Sequence, residues 1–417
     1  MTTLGILTKN RTAAFRRCLE SLRDNAKLFG RGVKFLVADD SDVKEARENF
    51  LALHEVGVKS RYFNRDMIGI FSAVLAKESG HASALRFALG KTDISIGAMR
   101  NFLMLMCPNE PLIMIDDDMV CKFADVPNRS DEVQRTASSN FIFQEEWRID
   151  GVDESTLVDE DFIAKHEQLF PEVALTVGGS IGDSGLTNAY MPFIANDPNF
   201  QEHVAASPEA MYATLRNRQV LRTSMNPQTA NWILGIGMSM GVNPKFSLPP
   251  FFPSGRGEDI LFATMLRNCL GGRGGYLNYA MWHTPKRVSD LDADLKDVGN
   301  LPLAEFIYLM LCEINPTDLD MFGQTLIALS ESDLTWVHRK WRLNLVEKMR
   351  SRAANYPEHV AFEMGKMCEA LEANSKYAVP SQLIRDYGEL LMAWPRIFEV
   401  AKNYGKWFQV RLHPPTV

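Results

Sequence analysis

The chain has 417 residues, 46% of them hydrophobic and 23% charged, which suits a large α/β unit with an accessory element and excludes wholesale disorder. A formal net charge of −7 and the lack of any Lys/Arg block give a phosphate backbone no long-range attraction, so no nucleic-acid partner is expected. Six cysteines without a CxxC pair or zinc-type spacing fit a reducing, cytoplasmic setting.

Residues 4–7 form a short apolar run that predicts a strand, without the basic start of an export signal, and end in Thr8-Lys9-Asn10-Arg11. Residues 13–28 carry helical spacing through Phe15, Leu19, Leu22 and Leu28. A second strand at 33–38 runs into Asp39-Asp40-Ser41-Asp42, completing a βαβ start. That start implies a parallel sheet with functional loops at the strands' carboxyl ends. A helix over 43–54, a strand over 59–63, a helical stretch over 68–90 interrupted at Gly80 and a helix over 96–106 follow. Residues 112–115 then predict a strand that stops abruptly at Asp116-Asp117-Asp118.

Beyond it, 125–170 is charged and irregular and reads as an insertion or lid. A strand at 173–177 leads into a glycine-rich loop at 178–185, followed by a polar loop and a strand over 232–240. Four prolines mark 243–257 as a loop, 259–270 has helical spacing closed by Gly271-Gly272, and 276–281 is the last strand. From about 298 onward helical patterns dominate, including 301–313, 336–353 and 358–371. The most apolar of these, 301–312, contains Glu305 and falls well short of the ~20 residues a spanning helix needs, so no transmembrane segment is expected.

Three adjacent carboxylates at a strand end repel one another, and burying them unpaired costs several kcal/mol or forces protonation. A hard cation shared with diphosphate oxygens would resolve that cost, with Asp116 and Asp118 turned to one side and Asp117 away; a solvated acidic turn is the competing reading. Glu258 and Asp259 open a helix, where ordinary capping also favours acids, yet two of them flanked by glycines suggest catalysis as well. His283 could give a nitrogen to Mn2+ or Mg2+, with Lys286 or Arg287 beside phosphate, or could be structural. Asp39 and Asp40 could accept hydrogen bonds from a base or ribose, or cap the next helix. Trp232, Phe251 and Phe252 could line an acceptor pocket or fill the core. The first strand is not followed by G-x-G-x-x-G and the 178–185 loop lacks G-K-[ST], which disfavours a nicotinamide domain and a P-loop.

In order and spacing these pieces resemble the GT-A glycosyltransferases, above all their family-2-like group of nucleotide-diphospho-sugar transferases. The resemblance covers roughly residues 3–290. Leu4 to Arg11 with Cys18-Leu19-Glu20-Ser21-Leu22 is similar to that group's first strand, nucleotide loop and helix; Val37 to Asp42 to its base-contacting aspartate motif. Gly97-Ala98-Met99-Arg100-Asn101 resembles the helix before the metal strand, and Ile113 to Asp118 the strand ending in a DxD motif. Gly257-Glu258-Asp259 resembles the acidic motif beside the acceptor, and His283 the late metal histidine.

The resemblance implies an α/β, Rossmann-like mixed sheet of GT-A type flanked by helices, with a helical C-terminal subdomain. It divides into 1–297 (donor half about 1–122, lid 125–170, acceptor half about 171–297) and 298–417. It implies Mn2+ or Mg2+ held by Asp116, Asp118 and His283, and a nucleotide-diphosphate sugar bound by Thr8, Asn10, Arg11, Asp39, Asp40, Arg100 and Asp117. The sugar would pass to a hydroxyl of a small molecule or glycan, with inversion, Asp259 serving as base and Glu258 orienting the acceptor. A retaining enzyme, a nucleotidyltransferase and an inactive nucleotide-sugar-binding or assembly protein are the alternatives, with the C-terminal helices a candidate oligomer surface.

Overall fold

The protein is described here by a computed structural model over residues 2–90, 95–125, 135–137, 145–148, 152–183, 204–216, 219–224, 227–230, 238–255, 257–284, 291, 295, 303–332, 334–373 and 381–411. A strand buried on both faces needs apolar side chains at successive positions, and the leading strands have them. In β1 (Thr2–Thr8) Leu4 and Ile6 enter one core while Leu7 enters the other. After α1 (Thr12–Leu28), β2 (Val33–Asp39) repeats the pattern, with Phe35 and Val37 joining Ile6, and Leu36 and Ala38 joining Leu7. Next come α2 (Val43–Val56), β3 (Ser60–Phe63), α3 (Arg65–Ser79), α4 (Ala82–Leu89) and α5 (Ile96–Met106). The break between α3 and α4 falls at Gly80, whose φ of 78° gives α3 a left-handed C-cap.

Strand β4 (Leu112–Asp116) lies beside β1 in parallel, pairing Asp116 with Leu7. A two-residue turn leads directly into β5 (Met119–Ala124), which the sequence reading did not anticipate. The 125–170 segment contributes β6 (Arg135–Ala137), β7 (Glu145–Arg148), β8 (Leu157–Val158) and α6 (Phe162–Leu169), so its described parts are regular pieces joined to the sheet and core. The glycine stretch expected as a loop is strand through Asp183: β9 (Leu175–Asp183) is hydrogen-bonded on both sides. Its glycines serve close packing, since a Cβ on Gly178 would lie 2.1 Å from the Tyr279 hydroxyl. The polar loop expected next contains α7 (Pro208–Arg216), β10 (Gln219–Thr223) and β11 (Gln228–Ala230). Of the expected 232–240 strand, residues 231–237 lie outside the described residues, and β12 (Ser239–Val242) is what remains in view.

Residues 243–255 form the expected loop, then come α8 (Glu258–Leu270), β13 (Gly274–His283), α9 (Leu303–Ile314), α10 (Leu319–Ser330), α11 (Leu334–Ala353), α12 (Glu358–Ala373) and α13 (Ser381–Arg411). The sheet runs β3-β2-β1-β4-β12-β9-β10-β7-β6, with β13 joining β9, β5 and β11. β1 to β4 are mutually parallel where they pair, β12 is antiparallel to β4 and β9, and β13 is parallel to β9. This is the mixed α/β sheet flanked by helices, with further helices at the C-terminus, that the sequence predicts. Helices α1, α2 and α6 cover one face and α3, α4, α5, α8 and α13 the other, while α7, α11 and α12 enclose a smaller core of their own. All six cysteines are free, and no helix of the described residues is long and apolar enough to cross a membrane.

Candidate active site

The strand directions bring the carboxyl ends of β1, β2, β4, β9 and β13 to one edge, the usual place for ligands in open α/β sheets. Asp116 ends β4, and Asp117 and Asp118 form the turn that follows, so the alternation expected of three strand residues does not apply. Asp117 is fully buried, accepting from the Thr8 hydroxyl at 2.7 Å and pairing with Arg11 at 2.5 Å. Asp118 pairs through one oxygen with Arg11 at 2.5 Å and through the other with His283 Nε2 at 3.3 Å. Asp116 turns instead to Arg100, at 3.3 Å. The expected split of Asp116 and Asp118 against Asp117 is thus replaced by Asp117 and Asp118 on Arg11 and Asp116 on Arg100.

His283 is held by the glycine-rich strand. Its Nδ1 lies 2.5 Å from the Asp183 carbonyl, which accepts the Nδ1 proton and leaves Nε2 facing Asp118. Gly182 makes room for it: its φ is 109°, and a Cβ there would lie 2.5 Å from the His283 carbonyl oxygen. Thr284 N donates to the Asp118 carbonyl at 2.9 Å, tying the acidic turn to the end of β13. An imidazole whose far nitrogen is anchored by a carbonyl, next to a carboxylate oxygen, is a donor pair that suits Mn2+ or Mg2+. No group of three or more His, Cys, Asp or Glu side chains placed to hold a metal occurs among the described residues. The fit therefore rests on Asp118 and His283, and the other positions around a cation would fall to oxygens of ligand and water.

The electrostatics follow from crowding. Burial pushes Asp117 up to about 7 against the pull of Arg11, and it raises Asp116 against Arg100. Burial works the same way on Asp118, but the His283 hydrogen bond and charge, with Arg11, outweigh it and hold the carboxyl far below its usual range. Burial disfavours the His283 imidazolium, and Asp118 more than compensates, raising it.

Across the edge, Glu258 is buried at the start of α8 and pairs with Arg100 at 2.6 Å; burial raises its pKa despite that cation, with Asp259 adding to the rise. Asp259 is half-buried, its Oδ1 accepting from Ile260 N at 2.9 Å. Arg100, 2% exposed, joins the acidic turn to α8 over the ring of Phe251. Asn101 next to it accepts from Phe251 N at 2.8 Å and donates to Phe251 O at 2.9 Å. Gly97 completes the clamp, because a Cβ there would come 1.9 Å from the Phe252 carbonyl oxygen. Three residues of one motif thus fix the loop that leads to Glu258.

Of the other expected donor-side residues, Asn10 and Arg11 reach the surface, and Asn10, at φ 53°, accepts from Asp42 N. Asp39 is consumed internally by Ser41 N, Asn49 and the Tyr62 hydroxyl. Asp40 is buried among Lys9 at 2.9 Å, Arg65 at 2.7 Å and Ser95. Arg65 and Ser95 escaped the sequence reading because nothing in their neighbourhoods marks them, whereas Lys9 lies inside the loop motif. Phe251 and Phe252 are fully buried, Phe251 stacked on Phe262 at 4.0 Å, so they are core and not pocket lining. Trp232, Lys286 and Arg287 lie outside the described residues.

No family model and no curated protein matches the chain. Among solved structures it is similar to mouse xyloside xylosyltransferase 1 in its apo form, at 9% identity over 59% of this chain and 68% of that one, with a TM-score of 0.26. Core-mannan synthase A from Aspergillus fumigatus, in a Mn/GDP form, shares 9% identity over 59% of this chain and 60% of its own, with a TM-score of 0.24. A mannosyltransferase from Pyrobaculum calidifontis in complex with GDP-Man and Mn2+ shares 9% over 97% and 87%, with a TM-score of 0.35.

Proposed function

We propose that the protein is a GT-A-type glycosyltransferase that moves a sugar from a nucleotide-diphosphate donor to an acceptor hydroxyl with inversion. The observation that carries this reading is that the Asp118–His283 pair and the Glu258–Asp259 helix start lie at one sheet edge, where Arg100 bridges Asp116 of the acidic turn to Glu258. Asp118 and His283 would hold Mn2+ or Mg2+, with Asp116 alongside; the cation supplies positive charge next to the departing diphosphate. Asn10 and Arg11, the exposed pair, contact the donor, while buried Thr8, Asp39, Asp40, Arg100 and Asp117 keep the donor loops in place. Residues 1–122 take the donor, 171–297 the acceptor, and 298–417 support both.

Glu258 is committed to Arg100 and orients the acceptor, and the half-buried Asp259 beside it is the carboxylate to which we assign the acceptor's proton. The acceptor oxygen then attacks the anomeric carbon on the face opposite the leaving diphosphate.

A thermal-shift screen of UDP, GDP and dTDP sugars with and without Mn2+, followed by product analysis, tests this. One donor should stabilise the protein only with Mn2+, and Asp118→Asn should abolish that stabilisation. Asp259→Asn should preserve it and depress transfer by about 10²-fold or more, the usual contribution of a general base. A wild type that neither binds nor turns over any donor would sink the reading. A product with retained anomeric configuration by NMR would remove Asp259 as base.

A further inference from the structure

Among the described residues, Arg11 is the exposed side chain that reaches into the acidic turn. Its side chain is 45% accessible, whereas Asp117 and Asp118 are 0% and 8% accessible. One guanidinium nitrogen meets Asp117 and another meets Asp118, each at 2.5 Å, and Asp118's second oxygen faces His283. Three neighbouring carboxylates cannot be left without counter-charge in a site this dry. Arg100 serves Asp116, and Arg11 serves the other two.

A divalent ion placed between Asp118 and His283 would sit beside a guanidinium already bound to the same carboxylate. Like charges that close oppose each other strongly, so the ion and Arg11 compete for Asp118. Neither carboxylate is stripped of partners when Arg11 leaves. Asp117 keeps its hydrogen bond from Thr8 if Arg11 leaves, and Asp118 keeps His283. Arg11 itself sits on the loop before α1, at the surface, with a long flexible stem and a planar fork suited to two phosphate oxygens.

We infer that Arg11 is a resident counter-ion that occupies the acidic turn until a donor arrives, then transfers from Asp118 to the donor's phosphates. This makes cation and donor binding cooperative. It rests on the sugar-transfer reading above and deepens it: Arg11 becomes a positioning residue whose two alternative partners link the sites. Reciprocity of coupling requires that whatever phosphate does for the cation, the cation does for the phosphate.

The test is Mn2+ affinity, read from free Mn2+ by electron paramagnetic resonance, with no nucleotide and with saturating UDP or GDP. In the wild type, the nucleotide that binds should tighten Mn2+ by about tenfold, within the usual range of coupling. In Arg11→Gln, Mn2+ alone should bind more tightly than in the wild type, and the nucleotide's effect should shrink several-fold. Arg11→Lys, which keeps the charge without the fork, should fall between them and guards against a misfolded glutamine variant. If Arg11→Gln binds Mn2+ alone no better than the wild type, or keeps the full nucleotide effect, the counter-ion role is wrong while the sugar-transfer reading stands. If the wild type binds no Mn2+ in either condition, both fall.

Discussion

At the scale of single residues, the site is organised by how each buried charge finds its partner. Arg100 could not act as an exposed phosphate ligand from its buried place; it is paired with Asp116 and Glu258, while Asn101 beside it holds both backbone groups of Phe251. A second buried titratable group, His166, lies away from the site, with Nδ1 2.6 Å from the Thr176 hydroxyl and Nε2 2.8 Å from the Tyr279 hydroxyl. Burial lowers its pKa from 6.5 to about 3. The folded protein therefore excludes a proton that the unfolded chain accepts below pH 6.5. The stability His166 contributes is complete above that pH and is lost on acidification toward 3, at about 1.4 kcal/mol per pH unit. Denaturant titrations at pH 7 and pH 4.5 should show the wild type losing about 2–3 kcal/mol more than His166→Gln. Equal losses would mean that this imidazole is not kept neutral.

Between elements, close approach decides where glycine is required. Helices α10 and α13 cross at Gly323 and Gly388, and a Cβ on either would lie 2.6 Å from the other's carbonyl oxygen. Alanine is favoured over glycine within a helix by about 1 kcal/mol. A backbone oxygen cannot move aside as a side chain can, and overpacking costs about 1–3 kcal/mol, so the clash should win. Gly388→Ala should lower the free energy of unfolding, and Gly388→Leu should lower it further. Gly365→Ala in α12, where a Cβ would meet nothing within 4 Å, should raise it by up to about 1 kcal/mol. Opposite signs at the two positions, measured by urea unfolding, check the packing; a stabilising Gly388→Ala would show that the helices do not cross there.

For the molecule as a whole, the C-terminal helices are part of the main core. Ile384, Tyr387, Leu390, Leu391, Trp394 and Ile397 of α13 are almost completely buried in the cluster that holds α3, α4, α5 and α8. Trp394 donates to Leu248 O at 2.9 Å and Tyr387 to Pro250 O at 3.3 Å, so α13 also pins the proline-rich loop that leads to Glu258. Burial of a large apolar side chain stabilises by about 1.5–3 kcal/mol. Six of them rival the entire ~5–15 kcal/mol that keeps a typical protein folded. A chain ending at residue 373 should therefore aggregate or bind a hydrophobic dye such as ANS, and should lose any Mn2+-dependent donor stabilisation. A soluble truncation with cooperative unfolding would show that the sheet folds without α13.

The sequence by itself determined the elements whose signals are local. Apolar runs on both faces, as at residues 33–38 and 112–115, and helical spacing punctuated by glycine, as at Gly80 and Gly271, place strands and helices without knowledge of their neighbours. The same local reading picked out the acidic turn, Glu258–Asp259 and His283, because charge at a strand or helix end is visible in one dimension. It misread residues 178–183 as a loop, since the reason for Gly178 and Gly182 is the Tyr279 ring and the His283 backbone arriving from about a hundred residues away. Only the tertiary structure could decide which charge meets which, and so turned Asp116 to Arg100, Asp118 to His283 and Arg11, and Asp39 inward to Tyr62. Partner choice among buried charges is an energy of three-dimensional proximity, and no spacing along the chain encodes it.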